Sequence, residues 1–120
     1  KIYLYFGNVM EEKIKDWSYE DFLHFLLIHC ANSDMDVSEN EMNMIKKTAS
    51  EAKYAELSEF YDSNTDFENI LILHEFKDRY LTDEDKIQEV FAKVEDLFYA
   101  DGDFSINEKN LNIALRMIFE

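Results

Sequence analysis

An all-α bundle of five to six helices is the fold this sequence predicts, and three observations predict it. The 120 residues include two Gly and no Pro, whereas strand-rich or loop-rich domains need those residues at their turns. Apolar residues make up 47% of the chain, with ten Phe and seven Tyr among them, and they recur at helical spacing. At five places that introduce apolar residues at helical spacing, a Ser or Thr is followed three residues later by an acidic residue, the pattern in which each side chain satisfies a backbone N–H at a helix start. The length is that of one domain, large enough to bury roughly two-thirds of the surface its unfolded chain exposes.

Each of these caps introduces a helix. Ser18/Asp21 precedes a stripe of Phe22, Leu23, Phe25, Leu26 and Cys30. Ser38/Glu41 opens a helix that either breaks near residues 48–50 or runs on to Leu57 and Phe60. Thr65/Glu68 leads into Phe67, Ile70, Leu71, Leu73 and Phe76, and Thr82/Asp85 into Ile87, Val90, Phe91, Val94, Leu97 and Phe98. Ser105/Glu108 precedes Leu111, Ala114, Leu115 and Ile118. All of these apolar residues are expected in the core. Trp17 and Tyr19, beside the first cap, belong to the core edge or form an aromatic lip.

The N-terminal Leu4-Tyr5-Phe6-Gly7 looks like the end of a protease-cleavage tag that lacks its Gln. Residues 1–7 therefore read as a tag remnant or disordered arm, and 8–120 as a single helical domain. The formal net charge of −15 repels nucleic-acid phosphates and anionic membranes and suits cations or basic protein surfaces. No stretch approaches the roughly 20 apolar residues of a membrane span. A single cysteine, Cys30, permits no intrachain disulfide and reads as a buried, inert thiol. With no secretory signal pattern, a cytoplasmic setting is expected.

The most informative feature is a repeat. Residues 34–43 read Asp-Met-Asp-Val-Ser-Glu-Asn-Glu-Met-Asn, and residues 101–110 read Asp-Gly-Asp-Phe-Ser-Ile-Asn-Glu-Lys-Asn. Six of the ten positions are identical at an offset of 67. Upstream, Leu23, Leu27, Cys30 and Ala31 fall opposite Val90, Val94, Leu97 and Phe98, so the repeated unit is helix, acidic turn, Ser cap, helix. Asp34 and Asp36 can point side by side, with Glu41 folding back from the first helical turn. Asp101, Asp103 and Glu108 repeat the arrangement. Three hard oxygen donors within eight residues suit Ca²⁺, Mg²⁺ or Mn²⁺ in preference to Zn²⁺. The same Ser and Glu residues would also serve as plain helix caps. An EF-hand does not fit: counting from Asp101, Ile106 stands at the Gly position and Asn112 at the bidentate Glu position.

Ala100-Asp101-Gly102-Asp103-Phe104-Ser105-x-x-Glu108 resembles the Ala-Asp-Gly-x-apolar-x-x-x-Glu signature of TerB-like domains of the tellurite-resistance family. Ser33-Asp34-Met35-Asp36-Val37-Ser38-x-x-Glu41 fits the same template with Met35 in place of Gly. The resemblance covers about residues 17–120. It implies two pseudo-repeated helical halves, acidic turn residues that chelate metal, and an accessory role in a stress-response or signalling assembly.

Other chemistry finds little support. His24 and His29 are five apart and lie on different helix faces, and His74-Glu75 lacks a second His at zincin spacing. No nucleophile elbow or phosphate-cradling Gly loop is present, and the paired carboxylates look solvated, so no catalysis is expected. Lys46-Lys47 is too short for a nucleic-acid patch. The expectation is a cation-binding accessory domain using Asp34, Asp36, Glu41, Asp101, Asp103 and Glu108, with protein partners. The alternative is a metal-free acidic module that docks a basic partner, and a nucleic-acid mimic stands third.

Overall fold

The computed structural model describes residues 12–32, 49–99 and 108–119. Everything regular among them is helical, and no strand is present among the described residues. The Cα radius of gyration is 13.7 Å, against about 13.6 Å expected for a compact chain of this length.

The first full helix, α1 (Tyr19–Asn32), starts where the Ser18/Asp21 cap predicts. Ser18 N–H donates to Asp21 Oδ2 at 3.0 Å, and Asp21 N–H donates to Ser18 Oγ at 3.2 Å. Beyond this cap α1 has no polar side: residues 22–28 are all buried, as is Cys30. A helix apolar all round must be enclosed by others. Helices α2 (Glu51–Ser63), α3 (Asp66–Tyr80) and α5 (Glu108–Phe119) pack against it. The remaining helix, α4 (Glu84–Tyr99), packs mainly on α5.

Aromatic rings hold the α1–α3 seam. Phe22 and Phe76 stack at 5.4 Å with planes 5° apart, and Trp17 meets Phe22 edge-on at 5.1 Å. Such pairs are worth about 0.5–1.5 kcal/mol beyond their buried area. Trp17 is 7% exposed, so it belongs to the core edge rather than to an aromatic lip. Tyr19 packs edge-on against Phe76 and Tyr80.

Polar side chains tie the ends of the elements together. Arg79 forms an ion pair with Glu75 at 2.9 Å, donates from Nη1 to Ile14 O at 3.0 Å, and lies over the Phe22 ring. Tyr80 Oη donates to Trp17 O at 3.2 Å. Lys77 Nζ donates to Phe119 O at 2.9 Å, placing a cation at the negative end of the α5 dipole. Buried Asn69 donates to Tyr61 O at 3.2 Å and accepts from Asn64 Nδ2 at 3.1 Å, closing the tight α2–α3 joint.

Three sequence expectations meet a decision here. Thr65 and Glu68 form the complete reciprocal box, at 2.8 and 3.1 Å. At α4 the cap lies one residue later than predicted, because Asp83 Oδ1 accepts from Lys86 N–H at 2.9 Å. Thr82 Oγ1 accepts instead from Lys86 Nζ at 3.2 Å; a carboxylate next in line is the stronger acceptor for an orphan N–H. The helix before Tyr61 does break at the serine: Ser50 sits at φ 69°, ψ 154° and caps α2 by accepting from Lys53 N–H at 3.3 Å. One core assignment is corrected as well. Phe67 is 53% exposed although Leu71, one turn further along the same face, is buried: it falls in the first turn of α3. The Ser38/Glu41 and Ser105/Glu108 caps and residues 1–7 lie outside the described residues. Among the described residues no helix is long and apolar enough to cross a membrane.

Substitutions at two positions test this account. Ser50 occupies a backbone region that is nearly exclusive to Gly and costs about 1–3 kcal/mol. Ser50→Gly should relieve that cost while losing a few tenths of a kcal/mol of capping and adding chain entropy to the unfolded state. The net expectation is roughly 0.5–1 kcal/mol of added stability, with Ser50→Val moving the other way; chemical unfolding of both variants checks the sign. Phe22→Ala should cost about 3–5 kcal/mol, and a loss below about 1 kcal/mol would contradict the stacked seam.

Candidate functional site

The acidic segments 34–43 and 101–110 come after two helices whose buried positions match at the offset of 67. Leu23 and Leu27 on α1 are buried, and so are Val90 and Val94, their counterparts at the offset of 67 on α4. Asn32, the last residue of α1, donates from Nδ2 to Ile28 O at 2.8 Å, occupying a carbonyl in the helix's last turn. Of the predicted ligands, Asp34, Asp36, Glu41, Asp101 and Asp103 lie outside the described residues. Glu108 is the first described residue of α5. Among the described residues no three His, Cys, Asp or Glu side chains gather as a metal site.

Interior chemistry centres on α1. Cys30 is fully buried, and burial pushes its thiol up to about 12, so the nucleophilic thiolate is not accessible near neutrality. His29 Nδ1 and Tyr61 Oη are 2.9 Å apart, a hydrogen bond whose direction follows the imidazole tautomer. Burial, and then the nearby Asp66 charge, push the Tyr61 hydroxyl up to about 12. Burial also holds His29 below the usual histidine range, against the pull of Asp66. The two histidines do lie on different faces: His29 reaches α2, while His24 is enclosed elsewhere.

His24 was not foreseen as special. It is 6% exposed, and neither ring nitrogen has a hydrogen-bond partner. Burial lowers its pKa; Glu20 and Asp21 pull it back up, and Lys53 adds to the lowering. The sequence signal was an imidazole in the unbroken apolar run 22–28, where no helix face leads to water. Asp21 itself pairs with Lys53 at 3.0 Å. Burial would raise its pKa, but the bonds from Ser18 and Lys53 outweigh that and hold it below the usual carboxylate value.

A cleft of about 370 Å³ lies between α4 and α5, with Ile87 and Phe91 on one side and Arg116 and Phe119 on the other. Sequence reasoning counted Ile87 and Phe91 as core, but both are only partly buried. The apolar stripe of α4 is wider than the surface α5 offers it.

The buried imidazole makes a pH dependence calculable in sign. Above the ordinary histidine value of about 6.5 both folded and unfolded chains carry neutral His24. As the pH falls from there through the lowered folded value, the unfolded chain takes the proton first, so stability is lost in that window. His24→Leu should therefore raise stability more at pH 5 than at pH 8, leaving the slope that His29 contributes. Urea midpoints at the two pH values check it; an identical loss in both proteins would show His24 to be solvated.

No family model, no curated protein and no solved structure matches this chain.

Proposed function

We propose that this chain is a non-catalytic accessory domain of TerB-like character that binds a divalent cation through its two acidic turns. It would serve within a stress-response or signalling assembly. The observation that carries the reading is the repeat itself: Asp34, Asp36 and Glu41 recur as Asp101, Asp103 and Glu108 at a fixed offset of 67. Support comes from the helices that lead into the turns, where the matched residues Leu23/Val90 and Leu27/Val94 are buried alike. A register kept in the core and in the turns together favours a duplicated unit over two unrelated caps.

The donor set is carboxylate oxygen throughout, which fits hard cations such as Ca²⁺, Mg²⁺ or Mn²⁺. Like charges this close in sequence repel unless a cation neutralises them. In this reading Asp34, Asp36, Asp101 and Asp103 hold the ion, and Glu41 and Glu108 reach back from the first helical turn as ligands or as caps.

Thermal melts in EDTA and with each of the four cations Ca²⁺, Mg²⁺, Mn²⁺ and Zn²⁺ test the proposal. At 100 times its dissociation constant a bound ion should add roughly 2.7 kcal/mol, on the order of 10 °C for this size. The shift should be selective for a hard cation and fall sharply in Asp101→Asn/Asp103→Asn. An undiminished shift in that double variant would sink the assignment. No shift with any ion would return the turns to simple capping.

A further inference from the structure

Helix α4 is incompletely enclosed. Val90 and Val94 are buried, but Ile87 and Phe91, on the neighbouring stripe, are only partly covered. Glu84, Ile87, Phe91 and Glu95 all line the cleft and follow one another at three- and four-residue steps, along one helix face. At 1.5 Å per residue this row is about 16 Å long, three helical turns. Phe119 faces it from α5, its ring 6.0 Å from that of Phe91. Ile87, Phe91 and Phe119 are the large apolar members of a lining that also carries Gln88 and Arg116, and a carboxylate stands at each end of the row. On α5, Ile113 and Met117 stand one turn apart at 48% and 74% exposure, outside the cleft lining and away from Phe119.

We propose that this cleft is a docking groove for an amphipathic helix of a partner protein, one carrying basic residues at both ends of its apolar face. The row of Ile87 and Phe91 accepts apolar side chains at helical spacing, as helix-in-groove recognition requires. Glu84 and Glu95 receive the flanking cations, which sit about eleven positions apart on the partner. Neither glutamate is engaged in an ion pair with a described residue. The net charge of −15 opposes a second copy of this chain as the occupant and steers a basic segment toward the surface. Arg116 is the single base in the wall, so it opposes a basic helix and sets a limit on affinity.

The groove requires no cation, so it is tested in EDTA, where its failure is separate from that of the metal reading. The probe is a dye-labelled synthetic peptide of Leu and Lys, with its apolar face flanked by lysines about eleven residues apart, titrated against the full chain by fluorescence anisotropy. Glu84→Lys/Glu95→Lys should weaken binding by about tenfold or more. Arg116→Glu should tighten it by about threefold or more. Glu59→Lys/Asp62→Lys, on the exposed side of α2, should change it by less than about twofold. Glu84, Glu59, Asp62 and Arg116 are exposed and Glu95 is partly buried, so circular dichroism of each variant checks that the fold is retained. Equal weakening by the α2 pair would reduce the interaction to general acidic attraction and overturn the groove. A failure of the probe to bind would do the same. A dimer in light scattering that Arg116→Glu dissolves would assign the surface to a second copy instead.

Discussion

The complete enclosure of α1 is the constraint on which the rest of the structure depends. Residues 22–28 present apolar or aromatic groups in every direction except for His24, and all seven are buried. No single neighbour can cover such a helix, so α2, α3 and α5 must surround it. The aromatic seam of Trp17, Phe22 and Phe76 follows from that demand. So does the position of α4, which arrives after the central helix is covered and rests largely on α5. The half-covered Ile87 and Phe91 are the visible result.

Cations in this chain are scarce, and where they are used affects the electrostatics of the whole molecule. There are 12 Lys and Arg against 27 Asp and Glu. Two of those cations spend donors on backbone carbonyls: Lys77 on Phe119 O and Arg79 on Ile14 O. These contacts fasten the segment before α1, and the end of α5, to α3. They leave the acidic excess unneutralised at the surface, where it acts over roughly a Debye length of 8–10 Å at ordinary salt. Mechanical fastening and a persistently negative exterior thus have one origin.

The sequence disclosed those features that repeat or that depend on neighbours along the chain. Helical spacing placed α1 and α3, and the Ser18/Asp21 and Thr65/Glu68 boxes formed as read. The cap of α4 was displaced by one because Asp83, the residue after Thr82, takes the cap position and accepts from Lys86 N–H, and spacing alone does not rank two adjacent candidates. The strain at Ser50 was invisible because nothing in a serine announces a positive φ. Phe67 was misplaced because periodicity locates a stripe but not where the neighbouring helix ends. His24 looked like one more scattered histidine; only the packing of three helices around α1 reveals that its nitrogens have nowhere to turn. The cleft was hidden for the same reason, since it exists only between two helices. The acidic turns remain legible as sequence alone.

Cys30 gives the molecule an internal clock. Its thiol is fully buried in the centre of the bundle, is held far from its reactive ionised form, and is the sole sulfhydryl in the chain. An alkylating reagent can therefore reach it only when α1 separates from its neighbours. Where reclosing outruns labelling, the modification rate measures how often the centre of the protein opens. Every other described helix leans on α1 directly or through one intermediary, and Cys30 stands in the last turn of α1, so that one rate follows both the opening of the bundle and the loosening of that helix end.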